Sequence, residues 1–192
     1  MEAIDVDADF IARALKTRHP NEAWIYATEV RTATGYRKSN DCGLGGIRYI
    51  DAFAMALWPS KDFQRIAYEI KCSRSDWLAE LKNPTKRLQA YQLADKFYFV
   101  LAENVGNWRD MPLDALDCGL IIVKPSGELD IQRGSRKPPA WPMPEWFIGS
   151  FLRSVRDTNW PDYSLEALKR ETAEQMYGGR ERETNLPDDF RA

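Results

Sequence analysis

Residues 48–75 read RYIDAFAMALWPSKDFQRIAYEIKCSRS, and the fold turns on them. Two apolar-rich runs flank Trp58-Pro59-Ser60-Lys61-Asp62, a turn signal that predicts a β-hairpin. With the turn centred near Ser60, antiparallel partners have residue numbers summing to about 120. Asp51 and Glu69 satisfy that sum, so their carboxylates are expected side by side, roughly 4.5–5.5 Å apart at Cβ. Lys71 lies two residues beyond Glu69 and shares its face, while Ile70 and Cys72 point the other way, into a core.

The remaining elements fall on either side of this hairpin. Residues 8–18 carry Phe10, Ile11, Ala14 and Leu15 at helical spacing behind Asp7, a candidate N-cap, and His19-Pro20-Asn21 ends the helix. Trp24 to Arg31 alternates as a strand. The polar, Gly-rich stretch that follows is a loop long enough to suggest function, but it lacks the Gly-Lys-Ser/Thr of a phosphate loop. Beyond the hairpin, Ser75 and Asp76 are candidate caps for a helix with Trp77, Leu78 and Leu81 on one side, and Pro84 restarts it. FYFVLA, 97–102, reads as a buried strand, and CGLIIVK with ELDIQR around Pro125-Ser126-Gly127 reads as a second hairpin. A proline-rich connector from Ser135 to Pro144 leads into the amphipathic EWFIGSFLRSVRD. The order is helix, three strands, helix, strand, hairpin and helical tail, a mixed α/β sandwich.

Composition narrows the chemistry. A chain of 192 residues buries one good core, and seven Trp argue against disorder. No apolar run reaches the roughly 18 residues a membrane span needs. The acidic MEAIDVDADF has no basic n-region, so a signal peptide is not expected and a cytoplasmic location is. Cys42, Cys72 and Cys118 are too widely spaced for a four-cysteine zinc site, and His19 is the sole histidine. Zinc hydrolase and histidine-triad chemistry are therefore disfavoured, leaving carboxylates and lysines for any acid–base or metal work. A net charge of −2 gives no global footprint for nucleic acid, so a binding surface has to be local.

Two readings of Asp51, Glu69 and Lys71 stand on chemistry alone. One is a cross-strand salt-bridge ladder on a solvated face, stabilising by roughly 0.2–1 kcal/mol. Against it, like charges directly opposite repel, and two close carboxylates favour a raised pKa or a shared divalent cation. The other is metal-assisted phosphodiester hydrolysis, in which a hard oxygen pair holds the metal and a lysine orients water or stabilises developing charge. Magnesium or manganese suits such ligands, with no imidazole or thiol pair in the set.

Asp51-Ala52-Phe53-Ala54, Trp58-Pro59-Ser60 and the run EIKCSRSDWLAELKNPTK, 69–86, together resemble the PD-(D/E)XK nuclease superfamily. The likeness is closest to its small bacterial and phage branch of MmcB-like DNA repair proteins, and spans roughly residues 24–102. The resemblance implies a restriction-endonuclease-like αβββαβ core over 1–134, a mixed sheet flanked by helices, with an added hairpin. Residues 135–192 form a connector and helical extension packed on that core. It further implies a DNA endonuclease dependent on Mg2+ or Mn2+, acting in phage or bacterial DNA repair or processing and able to form a homodimer. Asp51 and Glu69 match the metal ligands, the Ile70 carbonyl the third ligand, and Lys71 the catalytic lysine. The upstream acidic role falls to Glu29, which equally suits a strand-edge pair with Arg31. Ile50 stands where a proline is usual. Lys86, Gln89 and Tyr91 match helix residues that some members add to the site. Arg37, Lys38, Arg48, Lys82, Lys86 and Arg87 flank the site as candidate phosphate contacts, Gln89 with them. Trp141, Trp146 and Trp160 suit either base stacking or packing of the tail. The competing expectation is a catalytically inactive nucleic-acid- or protein-binding module on the same fold, since fold does not fix function.

Overall fold

Asp7 starts the first helix, its Oδ1 accepting the Phe10 N–H at 2.7 Å, and α1 runs Ala8–Lys16 with Phe10, Ile11, Ala14 and Leu15 buried. The structure, a computed structural model, describes residues 6–32, 48–158 and 167–170. β1 (Trp24–Arg31) and β2 (Tyr49–Ala56) pair antiparallel. A 3-10 turn at Pro59–Lys61, with Asp62 and Phe63 in the left-handed region (φ 52° and 47°), leads into β3 (Arg65–Lys71). Met55 faces Arg65 and Ala52 faces Tyr68, the register expected from the turn.

The sheet then changes direction. α2 (Arg74–Leu81) and the short α3 (Leu88–Leu93) cross back, so that β4 (Lys96–Ala102) lies parallel to β3. β5 (Gly119–Val123) is parallel to β4, and β6 (Leu129–Arg133) returns antiparallel. The six strands lie in chain order, so the second hairpin enlarges the same sheet. The chain is thus an α/β fold with a mixed sheet flanked by helices, in the expected element order.

Alternation assigns the two faces. On one, the Tyr26 hydroxyl donates to the Ala12 carbonyl of α1 at 2.8 Å, and Tyr68 stacks on Tyr98 with centroids 5.9 Å apart. On the other, Trp77 of α2 packs edge-on against Phe99 at 5.0 Å. There too α4 (Glu145–Thr158) seats Phe147 and Phe151 on Phe53 at 5.2 and 5.1 Å. Asp51, Glu69 and Lys71 share the parity of Phe53 and Phe99, so they sit on the face that carries three helices.

Ser73, not Ser75 or Asp76, caps α2: its Oγ accepts the Asp76 N–H at 3.2 Å, leaving Asp76 in the first turn, where its charge suits the helix dipole. Among the described residues neither Cys72 nor Cys118 forms a disulfide. Cys118 is buried, but Cys72, expected in the core beside Ile70, is exposed just past the end of β3, and Cys42 and Trp160 lie outside the described residues. Among the described residues no helix is long and apolar enough to cross a membrane.

Phe53 ties β2 to α4 and is fully buried. Phe53→Ala is expected to lower stability by about 3–5 kcal/mol in urea unfolding. A loss below 1 kcal/mol would show that α4 is not part of the cooperative core.

Candidate functional site

β2 and β3 part company at the site. Their ladder closes at Ala52–Tyr68, one pair short of Asp51–Glu69. There the Asp51 Oδ2 accepts the Ile70 N–H at 2.7 Å, a carboxylate taking the place of a strand carbonyl. β3 continues with β4 alone, Glu69 beside Phe99 and Lys71 beside Leu101. A strand residue's N–H and C=O leave by the same edge, so the Ile70 carbonyl also faces the opening.

Lys71 is held between two acids. Its Nζ donates to Glu69 Oε1 at 2.5 Å and lies 3.9 Å from Glu80 Oε2. All three side chains are largely out of water, Glu80 only 4% exposed, so this is no solvated ladder. Glu80 comes from α2, one turn after Trp77, whose burial on Phe99 fixes the helix against the sheet. Its Oε1 is buried and has no hydrogen-bond partner.

The crowding of acids shows in their protonation. Burial, then the nearby Glu69 charge, push the Asp51 carboxyl up to about 7, with Glu29 adding to the rise. The Ile70 N–H and Lys71 oppose it without winning. Burial also raises Glu80, and Glu69 reinforces the effect. For Lys71 burial works against the charge, but Glu69, Asp51 and Glu80 outweigh it and hold the ammonium above the ordinary lysine range. His19 is excluded from this chemistry. It is buried against the α1 side, bonded through Nε2 to the Tyr68 hydroxyl at 2.7 Å, and burial with Arg18 and Lys16 nearby pulls it down to about 3.

Glu29 stands across β1 from Asp51 in the register, between Thr28–Ala52 and Val30–Ile50, and the ladder skips it. It is exposed with φ 51°, a conformation that costs a glutamate about 1–3 kcal/mol. The left-handed residue interrupts the β1–β2 ladder at that point.

The basic flank divides. Lys82 and Lys86 are exposed at the end of α2 and the turn after it, and Arg48 is half-buried at the entry to β2. Arg37 and Lys38 lie outside the described residues. Arg87 does not belong to a surface patch: it is buried over Phe99 and bonded to Asp114 at 3.1 Å. Gln89 is buried as well, its Oε1 accepting from the Thr32 hydroxyl at 2.7 Å, a position inside the fold rather than on a phosphate-binding surface. Tyr91 donates its hydroxyl to Asp117. Arg74 pairs with Asp110 at 2.5 and 2.8 Å, away from the acids. Trp146 packs on Phe147, while Trp141 is largely exposed. The residue that sequence reasoning passed over is Glu80. Nothing in the helical pattern singles it out, and only the tertiary contact with Lys71 distinguishes it.

The donor set suits a hard divalent cation. Among the described residues no three His, Cys, Asp or Glu side chains gather at metal-binding spacing. The available donors are the Asp51 and Glu69 carboxylates with the Ile70 carbonyl, all oxygen. Burial raises Asp51 most, and the Glu69 repulsion that adds to it is what a cation between the two acids relieves.

The raised carboxyl has a consequence for stability. The folded protein keeps the Asp51 proton to about pH 7, whereas the unfolded chain gives it up near 3.8. Its contribution is therefore greatest below that value and is lost as pH rises toward 7. Asp51→Asn keeps an acceptor for Ile70 and removes the repulsion. It is expected to stabilise the metal-free protein by about 1–3 kcal/mol at pH 8, a gain of several degrees in Tm, and by little at pH 3.5. Equal Tm at pH 8 would contradict the electrostatic picture.

No family model matches the chain, and none of the curated proteins matches it. Among solved structures, the chain is similar to a protein of unknown function from Silicibacter pomeroyi, at 14% identity and a TM-score of 0.48, with 98% of this chain and 99% of that one covered.

Proposed function

We propose that the protein is a divalent-metal-dependent nuclease of the PD-(D/E)XK kind, hydrolysing phosphodiester bonds of DNA in phage or bacterial repair or processing. The observation that carries this reading is the convergence of Asp51, Glu69 and Lys71 where β2 and β3 separate, with Asp51 raised by burial and then by Glu69. Asp51, Glu69 and the Ile70 carbonyl would hold magnesium or manganese. When bound, the cation supplies a water of lowered pKa and offsets charge on the phosphoryl group.

The chain's own residues do the rest. Lys71, kept charged by its acids, is placed to orient the attacking water or to stabilise the pentacoordinate phosphorus. The Ile70 N–H pins Asp51, so one carboxylate oxygen stays free for a ligand while the other is fixed. The half-buried setting strengthens each of these interactions relative to water. Exposed Lys82 and Lys86, with Arg48, offer phosphate contacts that position a strand without reading its sequence. A homodimer would bring two such sites to the two strands of a duplex.

One observation favours the alternative, a catalytically inactive binding module: Lys71 already neutralises Glu69 at 2.5 Å, as in a settled ion pair. Single alanine variants separate the two. Asp51→Ala, Glu69→Ala and Lys71→Ala are each expected to reduce magnesium-dependent cleavage of plasmid and oligonucleotide DNA by at least about 10²-fold, in the range of lost electrostatic catalysis, with circular dichroism unchanged. Cleavage retained by all three variants would overturn the nuclease reading. Binding without cleavage in wild type would favour the module.

A further inference from the structure

We propose that Glu80 is a second seat for the Lys71 ammonium, a positioning residue that takes Lys71 over when a divalent cation occupies Glu69. The inference rests on the metal-site reading above and gives a role to Glu80, to which no expectation from the sequence assigned one.

Its basis is a shortage of acceptors. Lys71 Nζ has two anionic neighbours, Glu69 at 2.5 Å and Glu80 at 3.9 Å. Asp51 is committed through one oxygen to the Ile70 N–H. A cation bound by Glu69 weakens that carboxylate as a partner and repels the ammonium. Water does not readily take its place, because the Lys71 side chain is only 15% exposed. An ammonium left unpaired at such a depth is costly. Among the described residues Glu80 is the remaining acid within 4 Å, and it has capacity: Oε1 has no hydrogen-bond partner there, and Oε2 lies 3.9 Å from Nζ, beyond hydrogen-bonding distance.

Glu80 is also poorly explained as a structural residue. It sits on the buried side of α2 with Trp77 and Leu81, where an apolar side chain would pack without an orphan oxygen. α2 is fixed by the Ser73 cap and by Trp77 on Phe99, so the Glu80 carboxylate is held at a set place beside Lys71. A small swing of the lysine then exchanges one partner for the other. Lys71 stays charged and stays directed at the site in both states.

The test is competitive acetylation of Lys71 by acetic anhydride, read by peptide mass mapping. Full-length wild type, Glu80→Gln and Glu80→Leu are compared, with and without manganese raised until Tm no longer changes. Wild type should label slowly in both conditions. Each variant should label slowly without metal, where Glu69 still holds the lysine. With manganese, labelling should rise severalfold, because a lysine without its second acceptor swings out to solvent. Glu80→Leu also guards against a folding artefact, since it should melt no lower than wild type. If manganese raises the Tm of all three proteins but Lys71 labels at the wild-type rate in both variants, the seat is overturned and the metal site stands. If manganese leaves the Tm of wild type unchanged, the metal site and the seat fall together.

Discussion

One hydrogen bond, from the Ile70 N–H to the Asp51 carboxylate at 2.7 Å, marks the constraint on which the site depends. β3 has to serve two partners of opposite sense, antiparallel β2 and parallel β4. It follows β4 as far as Lys71 but β2 only as far as Tyr68, beyond which β2 stays with β1 alone. An opened ladder would leave a buried backbone donor without an acceptor, an expensive omission. The Asp51 side chain closes it. The same device brings a carboxylate to the mouth of the opening and aligns it with Glu69, Lys71 and the Ile70 carbonyl.

The cost of that arrangement is electrostatic. Asp51, Glu69 and Glu80 crowd one partly buried place with a single ammonium among them, and Glu29 adds both charge and a left-handed backbone nearby. Apart from the bond that Asp51 makes to the Ile70 N–H, these charges work against folding, and neutral side chains would serve stability better. Elsewhere local rules and packing agree: α1 is capped, the aromatic rings of both faces interlock, and the single histidine is buried and neutral. Departures from local consistency that gather in one place are what a functional site looks like in an otherwise consistent fold.

Much of this was legible before any coordinates. The turn at Trp58–Asp62 set the β2–β3 register, and with it the meeting of Asp51 and Glu69, because side-chain parity along a strand admits no half-steps. The spacing of Phe10, Ile11, Ala14 and Leu15 marked α1 in the same way. What the pattern did not reveal depends on tertiary placement. Arg87 and Gln89 are polar residues in a polar-looking segment, yet Asp114 and Thr32, distant in sequence, give each a partner that allows burial. Glu80 was hidden for the same reason: helical periodicity does not say which acid meets a lysine on a strand. The end of the ladder was also invisible, since nothing in the alternation of either strand marks where their pairing stops.

The most direct test of the central claim, that the parted strands frame a cation site, is calorimetric titration of magnesium and manganese into the metal-free protein and its Glu69→Ala variant, with a short DNA duplex held constant. The account predicts a saturable signal in wild type that releases protons near neutral pH, as Asp51 gives up its hydrogen, and that disappears in the variant. Equal binding by both proteins, or none by wild type, would contradict it.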